Sequence, residues 1–370
     1  MFPFALPPSA RRAAGFSLVE IMVGMVIGML GLVIMMQVFS LSESQKRATT
    51  GGGDAQSSGA IALFGLQRDL RQAGFGTSDP KLVGCNVTLR AGVVLNAFAP
   101  VTINHASITG QDAGTDTLLV TYGNSNGSPQ GDTITTQPAS AGPAAAPDIY
   151  AVGAPTSFTG GDQVIATPQN RATPCVLSVT SVASIGVGNA ANVIVQSGTG
   201  LINMTNGILF NLGQAPRVLA YAIRGGNLTQ CNYIANNCGD AANNGNAAIW
   251  VPIASNIVSL KALYGRDTNT PMDGIADVFD STAPATACDW VKVFGVRLAL
   301  VARNATYEKT AVTAAGALVW DGDTNSNPNA VAANNIDLTA NANWANYRYR
   351  ILQTVIPLRN LVWQGVEPGC

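Results

Sequence analysis

A serine between two glycines is the first position in the sequence at which covalent catalysis could occur. The segment Gly123–Gly127 has the G-x-S-x-G spacing that places a nucleophilic serine on a tight turn in one class of hydrolases. That chemistry needs an acid and then a histidine further along the chain, and the only histidine, His105, comes earlier. Because asparagines flank Ser125, the segment is also typical of an ordinary turn. We therefore predict that the protein is not an enzyme.

The segment Arg266–Asp277 carries carboxylate and amide oxygens on a glycine turn, and these are the ligands that calcium prefers. Its spacing departs from the EF-hand loop, because a proline stands at the fifth position, the glycine comes late and no glutamate closes the loop. Aspartate and asparagine next to glycine also make ordinary turns. A calcium site therefore stays open as an alternative, and no other cofactor is expected. The calcium ligands would be Asp267, Asn269, Asp273 and Asp277.

The six cysteines all lie in the part of the chain beyond residue 84. No C-x-x-C pair occurs and histidine is nearly absent, so a zinc site of the usual kinds lacks ligands. An even number of cysteines in an oxidising compartment favours disulfides, although six cysteines allow several pairings. The disulfide candidates are Cys231 with Cys238, which would close a short loop, Cys85 with Cys175, and Cys288 with Cys370.

One carboxylate, Glu20, lies near the start of a long apolar stretch. A helix over residues 16–39 would span roughly 36 Å, which is enough to cross a bilayer core of about 30 Å. A carboxylate in lipid is costly and is normally kept for function, together with a partner. If the chain were cleaved between Gly15 and Phe16, the new α-amino group would lie four residues from Glu20. The two groups could then pair, within one chain or between neighbours.

Other interpretations of this stretch are weaker. A secretory signal peptide would need a shorter apolar core and a small-residue cleavage site, and residues 40–42 fit such a site poorly. A plain membrane anchor explains the length of the stretch but not the residues that precede it. Gly24 and Gly28 have the spacing of a small-residue contact between helices. Arg11 and Arg12 precede the stretch, so the positive-inside rule places the rest of the chain outside the cytoplasm.

The segment Gly15–Glu20, followed by an apolar helix, resembles the class III signal of type IV pilins and type II secretion pseudopilins. Residues 66–76 (LQRDLRQAGFG) are similar to the PilW family of minor pilins, and residues 347–363 resemble that family's last strand. The resemblance implies cleavage after Gly15 by a membrane prepilin peptidase and N-methylation of Phe16. It also implies that Glu20 neutralises the new terminal amine during assembly into a pilus. The helix differs from that of major pilins in lacking proline.

The composition agrees with an exported domain. The chain has 370 residues and a formal net charge of −1, which does not favour nucleic acid as a partner. Only 11% of the residues are charged, about half of the usual share. About 300 residues remain beyond the apolar stretch, which is enough to bury a sizeable core or to form two subdomains.

Beyond the apolar stretch, we expect the helix to continue and then to have a break or a flexible joint at residues 49–53, because three glycines weaken it by about 1 kcal/mol each. After the break, apolar residues recur at helical spacing and predict an amphipathic helix laid on a sheet and ended by Gly74. Ile61 and Phe64 fall on the opposite face, where they would be covered by a loop or would contact a neighbouring subunit. The stripe that faces the sheet is Gly59, Ala62, Leu63, Leu66, Leu70 and Ala73.

The rest of the chain has short apolar runs between turn-rich segments, which indicates strands and surface loops. The three later runs are more regular, and they would form the antiparallel sheet that holds the amphipathic helix. The predicted strands are Thr117–Tyr122, Gln163–Ala166, Val176–Val182, Asn192–Gln196, Arg217–Arg224, Ile257–Tyr264, Trp290–Ala302 and Tyr347–Val355.

The predicted fold is α+β: a pilin-like long N-terminal helix packed on an antiparallel β-sheet, with a large β-rich insertion or second β-subdomain. The predicted organisation is a leader peptide (1–15), a transmembrane and assembly helix (16–40), its amphipathic continuation (41–76), a β-rich region with many loops (77–255) and a C-terminal antiparallel sheet (256–370).

The predicted function is that of a minor pilin subunit that takes part in the initiation and assembly of type IV pili, and so in twitching motility and adhesion. The alternatives are a type II secretion pseudopilin and a membrane-anchored adhesin or binding module. The resemblance implies that the partners are other minor and major pilins, the prepilin peptidase and a pilus-tip adhesin. The expected location is the inner membrane, with the C-terminal domain in the periplasm, and then the pilus near its tip.

Overall fold

The computed structural model describes residue 15 and residues 17–137, 148–195, 204–316, 318–320 and 336–362. The chain divides between Gly51 and Gly52 into two compact units. The strand predicted at Asn192–Gln196 extends one residue past the described range, and Cys370 lies outside it.

Helix α1 runs Leu18–Gln72. The expected break at residues 49–53 is absent, because all five residues are helical. An ion pair between Arg47 and Glu43, one turn apart at 3.3 Å, supports the helix before the glycines, and burial of Ala55 supports it afterwards. The helix ends where predicted, with Gly74 at a φ of +86°.

Strands and two short helices follow α1. The strands among the described residues are β1 (Cys85–Arg90), β2 (Val93–Phe98), β3 (Val101–Ile103), β4 (Leu118–Tyr122), β5 (Asp132–Thr136), β6 (Asp148–Val152), β7 (Gln163–Thr167), β8 (Val176–Ile185), β9 (Asn192–Val195), β10 (Ile208–Gly213), β11 (Arg217–Arg224), β12 (Asn227–Asn232), β13 (Val251–Ser255), β14 (Ile257–Arg266), β15 (Val278–Asp280), β16 (Val293–Arg303) and β17 (Tyr349–Pro357). The short helices are α2 (Ala287–Val291) and α3 (Arg359–Val362).

The first sheet has the strand order β2-β1-β8-β7-β10-β5-β6-β9. Strand β9 also pairs with β8, so six of these strands close into a ring. The inside of the ring is an apolar core that contains Tyr150, Val164, Val193 and Leu209, all of them buried. Closure pairs the six strands of the ring with one another, while β2 remains an edge strand outside the ring.

Two antiparallel sheets hold the second half of α1. One has the order β13-β12-β11-β4-β3 and the other has the order β15-β14-β16-β17. Buried residues of the helix, including Leu66 and Leu70, share one apolar core with side chains of both sheets, such as Tyr221 on β11 and Leu300 on β16. The fold class predicted from the sequence, a long N-terminal helix with antiparallel sheets and a large β-rich region, is therefore confirmed.

One predicted strand begins later than expected. Trp290 and Val291 belong to α2, and the strand starts at Val293. The helix forms because Thr286 and Asp289 make a capping box, in which each side chain accepts the other residue's backbone N–H. Several short strands of the ring, including β5, β6 and β10, were not predicted at all.

Candidate functional site

The helix begins with an uninterrupted apolar surface. From residue 18 to residue 42, Glu20 is the only charged residue. The large apolar side chains of this segment are exposed, from 51% at Ile21 and Val23 to 74% at Leu18 and Phe39. The helix is long and apolar enough to cross a membrane by length and composition. Exposed apolar surface on this scale requires lipid or other apolar helices to cover it.

The predicted processing site lies just before the helix. Gly15 is exposed and non-helical, and the first helical hydrogen bond joins the N–H of Ile21 to the carbonyl of Ser17. Phe16 lies outside the described residues. Glu20 is in the first helical turn and is exposed. Gly15, the residue before the predicted cleavage point, therefore precedes the helix that carries the predicted assembly carboxylate.

The predicted packing glycines face open space. A Cβ atom added to Gly24 or Gly28 would meet nothing within 4 Å. Since the two residues are one turn apart, they leave a shallow notch on one face of the helix. The predicted contact with another helix would use this notch, which allows close approach.

From residue 52 onward, α1 has one buried face and one exposed face. Gly59 lies so close to the four-stranded sheet that an added Cβ would be 2.4 Å from Cδ1 of Leu352 and 3.1 Å from Cβ of Ala302. The side-chain amide of Gln67 donates a hydrogen bond of 2.9 Å to Oγ1 of Thr354 on β17. Glycine at position 59 therefore allows the helix to approach strands β16 and β17.

The opposite face of this part of α1 carries two large apolar side chains. Ile61 is 66% exposed and Phe64 is 70% exposed, and no described loop covers them. They are three residues apart, so they lie next to each other on the helix surface. Of the two interpretations that the sequence leaves open, the structure excludes burial by the described part of the chain. The pair is available for contact with another subunit.

A buried carboxylate joins the helix to the five-stranded sheet. Asp69 is 3% exposed, and its Oδ1 accepts hydrogen bonds from the phenol of Tyr122 at 3.2 Å and from Nε of Arg68 at 3.2 Å. Its Oδ2 accepts a short hydrogen bond from the phenol of Tyr221, which in turn accepts one of 2.7 Å from Gln230. Both carboxylate oxygens are thus satisfied, as a buried charge requires.

The network changes the acidity of both tyrosines. Burial, and then the nearby Asp69 carboxylate, raises the pKa of Tyr122 to about 12. The same two causes raise the pKa of Tyr221. Sequence reasoning missed Asp69, because an acid in an arginine-rich helix normally faces water. The helical spacing of Asp69 from Ala62, Leu66 and Ala73 places it on the buried face, and this spacing was the sequence signal that could have predicted its burial.

Next to this network lies a cavity of about 480 Å³. Asp69, Tyr122 and Leu219 are buried in its wall. Arg68 and Arg217 are exposed and line the same cavity. A polar cavity with two guanidinium groups offers hydrogen-bond donors to an anion.

The four predicted calcium ligands share one loop, in which the side-chain amide of Asn269 donates hydrogen bonds to Asp273 at 3.1 Å and to Asp277 at 3.4 Å. Asp267 is fully buried, and its carboxylate accepts backbone N–H groups from Asn269, Asp273 and Gly274 at 2.7 to 2.9 Å. Asp277 also accepts a backbone N–H. Within the described ranges, no three His, Cys, Asp or Glu side chains converge to hold a metal ion. The geometry therefore indicates a turn stabilised by Asp267 and gives calcium no support.

The cysteines form the disulfides that the sequence predicts, as far as the described residues extend. Cys85 is bonded to Cys175, and Cys231 is bonded to Cys238. Cys288 is also in a disulfide, and its predicted partner lies outside the described residues. The first bond links strand β1 to the start of β8, and the second closes the loop after β12.

Ser125 does not have the surroundings of a nucleophile. Its Oγ accepts a hydrogen bond of 3.1 Å from the backbone N–H of Gly127, as in an ordinary turn. His105 is hydrogen-bonded to the backbone carbonyl of Asn96 at 2.6 Å, and burial lowers its pKa. Both residues thus serve local structure.

Two family models match the chain. Residues 228–360 match the family described as Type IV Pilus-assembly protein W, PilW. Residues 10–36 match the prokaryotic N-terminal methylation motif. The first match includes strands β13 to β17, and so the whole four-stranded sheet on which α1 packs. The second includes Gly15, Glu20 and both packing glycines.

Comparison with individual proteins adds little. Among curated proteins, no sequence matches the chain. The Type IV-like pilin TTHA1219 from Thermus thermophilus is similar over 55% of this chain and 86% of its own, at 15% identity and a TM-score of 0.23. That degree of similarity is too low to support an inference about structure or function.

The matched families are structural rather than enzymatic, and the methylation motif with its apolar helix fits a membrane-anchored pilin. A pilin interacts with other components of the pilus. Residues 228–360 of the chain are thus similar to the type IV pilus-assembly family PilW, and residues 10–36 carry a prokaryotic N-terminal methylation motif.

Proposed function

We propose that this protein is a minor pilin that is cleaved after Gly15 by prepilin peptidase, N-methylated at Phe16 and assembled into a type IV pilus, whose growth it helps to initiate. The observation that carries this proposal is the exposed apolar helix with a single acid, Glu20, in its first turn. Such a surface is stable in a membrane, and equally in a bundle of similar helices.

The proposed mechanism is non-covalent polymerisation. Before assembly, lipid covers the apolar side chains, and in the pilus the helices of neighbouring subunits cover them instead. Glu20 selects the register by pairing with the terminal amine at Phe16 of a neighbour. A carboxylate left without a partner in an apolar bundle is costly, so only registers that pair it are populated. Gly24 and Gly28 let helices approach closely.

The second compact unit supplies the remaining contacts. Ile61 and Phe64 provide an apolar patch on its helix, which we assign to contact with another minor or major pilin. The protein would be stored in the inner membrane with this unit in the periplasm, and would lie near the pilus tip after assembly. A tip adhesin is a further proposed partner.

A type II secretion pseudopilin is the main alternative, since it would use the same N-terminal segment in the same way. The match of residues 228–360 to the pilus-assembly family favours the pilus. Deletion of the gene separates the two functions. A pilus subunit predicts loss of twitching motility with normal exoprotein secretion, whereas a pseudopilin predicts the reverse.

Replacement of the assembly carboxylate tests the mechanism. We expect Glu20→Ala to leave the protein in the membrane, and to abolish its incorporation into sheared pili and its co-purification with other pilins. Glu43→Ala is the matched control, because Glu43 is an exposed acid in the same helix that pairs with Arg47 of its own chain. Normal piliation and normal co-purification in the Glu20→Ala strain would show that the proposed mechanism is wrong.

A further inference from the structure

A second cavity lies beside the one that contains Arg68 and Arg217. It has a volume of about 420 Å³, and Asn124 lines both cavities. Its wall carries the side chains of Ser125, Thr156 and Thr159. These hydroxyl groups can each donate and accept hydrogen bonds.

The second cavity also contains a buried acid. Asp162 is 6% exposed, and its Oδ2 accepts hydrogen bonds of 2.8 Å from the backbone N–H of Thr159 and from the side-chain amide of Asn211. Its other oxygen remains available as an acceptor for a hydroxyl donor. Two neighbouring residues fix the position of this carboxylate, so little ordering is needed when a ligand binds.

The two cavities therefore differ in charge. The first presents the guanidinium groups of Arg68 and Arg217. Asp69 in its wall forms an ion pair with Arg68 and accepts hydrogen bonds from two phenols, so these three charged residues together carry one net positive charge. The second presents hydroxyls, amides and one carboxylate oxygen. The chain as a whole has a net charge of −1, so positive charge in the first cavity is a local feature.

We propose that the two cavities on either side of Asn124 form one binding site for an acidic saccharide. The carboxylate of the saccharide lies between Arg68 and Arg217, and the hydroxyl groups of the adjoining sugar bind in the cavity of Thr156 and Asp162. Sugar hydroxyls both donate and accept hydrogen bonds, as do the hydroxyls and amides of the second cavity. A peptide ligand would instead require an apolar pocket or a free strand edge, and the residues that line these cavities are mainly polar.

Calorimetric titration of the full chain in detergent tests the proposal. The probes are trigalacturonic acid and 3′-sialyllactose, with lactose as the neutral saccharide and triglutamate as an acidic peptide. We expect saturable binding of at least one acidic saccharide, and binding at least tenfold weaker for lactose and for triglutamate. Absence of binding for both acidic saccharides overturns the proposal. Equal binding of triglutamate also overturns it, because the site would then recognise negative charge alone.

Substitutions place the binding in these cavities. Arg217→Gln is expected to lower the binding affinity for the acidic saccharide about tenfold, and Thr156→Val is expected to lower it severalfold. Both side chains are exposed at the cavities. Arg350→Gln is the control, because Arg350 is exposed and lines neither cavity. Near-UV circular dichroism checks that each variant is folded. If the Arg217→Gln variant is folded and binds the acidic saccharide with unchanged affinity, the binding site does not lie in these two cavities. Pilus assembly is not part of this measurement, so its outcome is independent of the proposed function.

Discussion

The carboxylate of Asp69 on α1 accepts a hydrogen bond from the phenol of Tyr221 on β11, 152 positions later in the chain. This contact fixes the second half of the long helix against the five-stranded sheet at a single polar point, within a core that is otherwise apolar. It specifies the rotation of the helix about its axis, because a turn in either direction would leave the charge buried and unpaired.

Replacement of Asp69 by asparagine should destabilise the folded protein by about 2–3 kcal/mol, since hydrogen bonds to a charged acceptor are lost and the phenol of Tyr221 meets an amide. The midpoint of urea unfolding of the full chain in detergent, followed by near-UV circular dichroism, measures this loss. Asp54→Asn is the control, because Asp54 is an exposed acid in the same helix. Equal midpoints for the two variants would contradict the structural role assigned to Asp69.

The stability of the protein should fall at alkaline pH. Burial, and then the Asp69 carboxylate, raises the pKa of Tyr122 to about 12 and raises that of Tyr221, whereas an unfolded tyrosine has a pKa near 10. The folded protein thus holds these protons while the unfolded chain loses them, so the stabilisation is complete below pH 10 and is lost as the pH rises towards 12.

Unfolding midpoints measured between pH 9 and pH 11 test this expectation. Tyr221→Phe should reduce the slope of stability against pH, although other buried tyrosines retain part of it. Tyr307→Phe, at an exposed tyrosine, should leave the slope as it is in the unchanged protein. A slope that Tyr221→Phe does not alter would show that the phenol does not keep its proton in the fold.

The close approach at Gly59 should make this position intolerant of any side chain. Gly59→Ala brings a methyl group against the terminal methyl of Leu352 and to 3.1 Å from Cβ of Ala302, so the Leu352 side chain must change conformation and the helix must shift slightly from β16; we expect a loss of about 1–3 kcal/mol. Gly65→Ala is the matched control in the same helix, because a Cβ at position 65 meets nothing within 4 Å. The control should gain up to about 1 kcal/mol from helix propensity. Stabilisation by both substitutions would contradict the packing described here.

Ile61 and Phe64 should matter for assembly but not for folding. Both side chains are exposed, so the double substitution Ile61→Ser and Phe64→Ser should change the free energy of unfolding by less than about 0.5 kcal/mol per substitution. We expect the same double variant to be severalfold less abundant in sheared pili. Ile275→Ser, at an exposed apolar residue in a loop, is the control. Unchanged incorporation of the double variant into pili would show that Ile61 and Phe64 are not part of the assembly surface.

Local patterns in the sequence predicted a large part of the fold. The apolar stretch around Glu20, the buried stripe from Gly59 to Ala73 and the strand at Arg217–Arg224 follow from spacing along the chain alone. The pairings of Cys85 with Cys175 and of Cys231 with Cys238 are also present. The apolar stretch, the buried stripe and the strand depend only on residue order, whereas the sequence allowed several cysteine pairings and only Cys231 with Cys238 was favoured by closeness in the chain.

Features that depend on distant partners were not predictable. Strand β6 is only five residues long and pairs with β9, more than 40 residues later, and its sequence has no strong alternation. The helical spacing of Asp69 places it on the buried face, but the two tyrosines that satisfy its carboxylate lie 53 and 152 positions away and cannot be identified from local sequence. The break expected at residues 49–53 is absent, although three glycines lower the helix propensity of this segment.

The chemical state of the mature N-terminus tests the central claim most directly. Mass spectrometry and N-terminal sequencing of the protein isolated from its native cells should find a chain that begins at Phe16 and carries a methylated amino group. That result would establish that the apolar helix is processed for assembly, with a terminal amine four residues from Glu20. A native chain that retains Gly15 and the residues before it would contradict the account, because Glu20 would then have no terminal amine with which to pair.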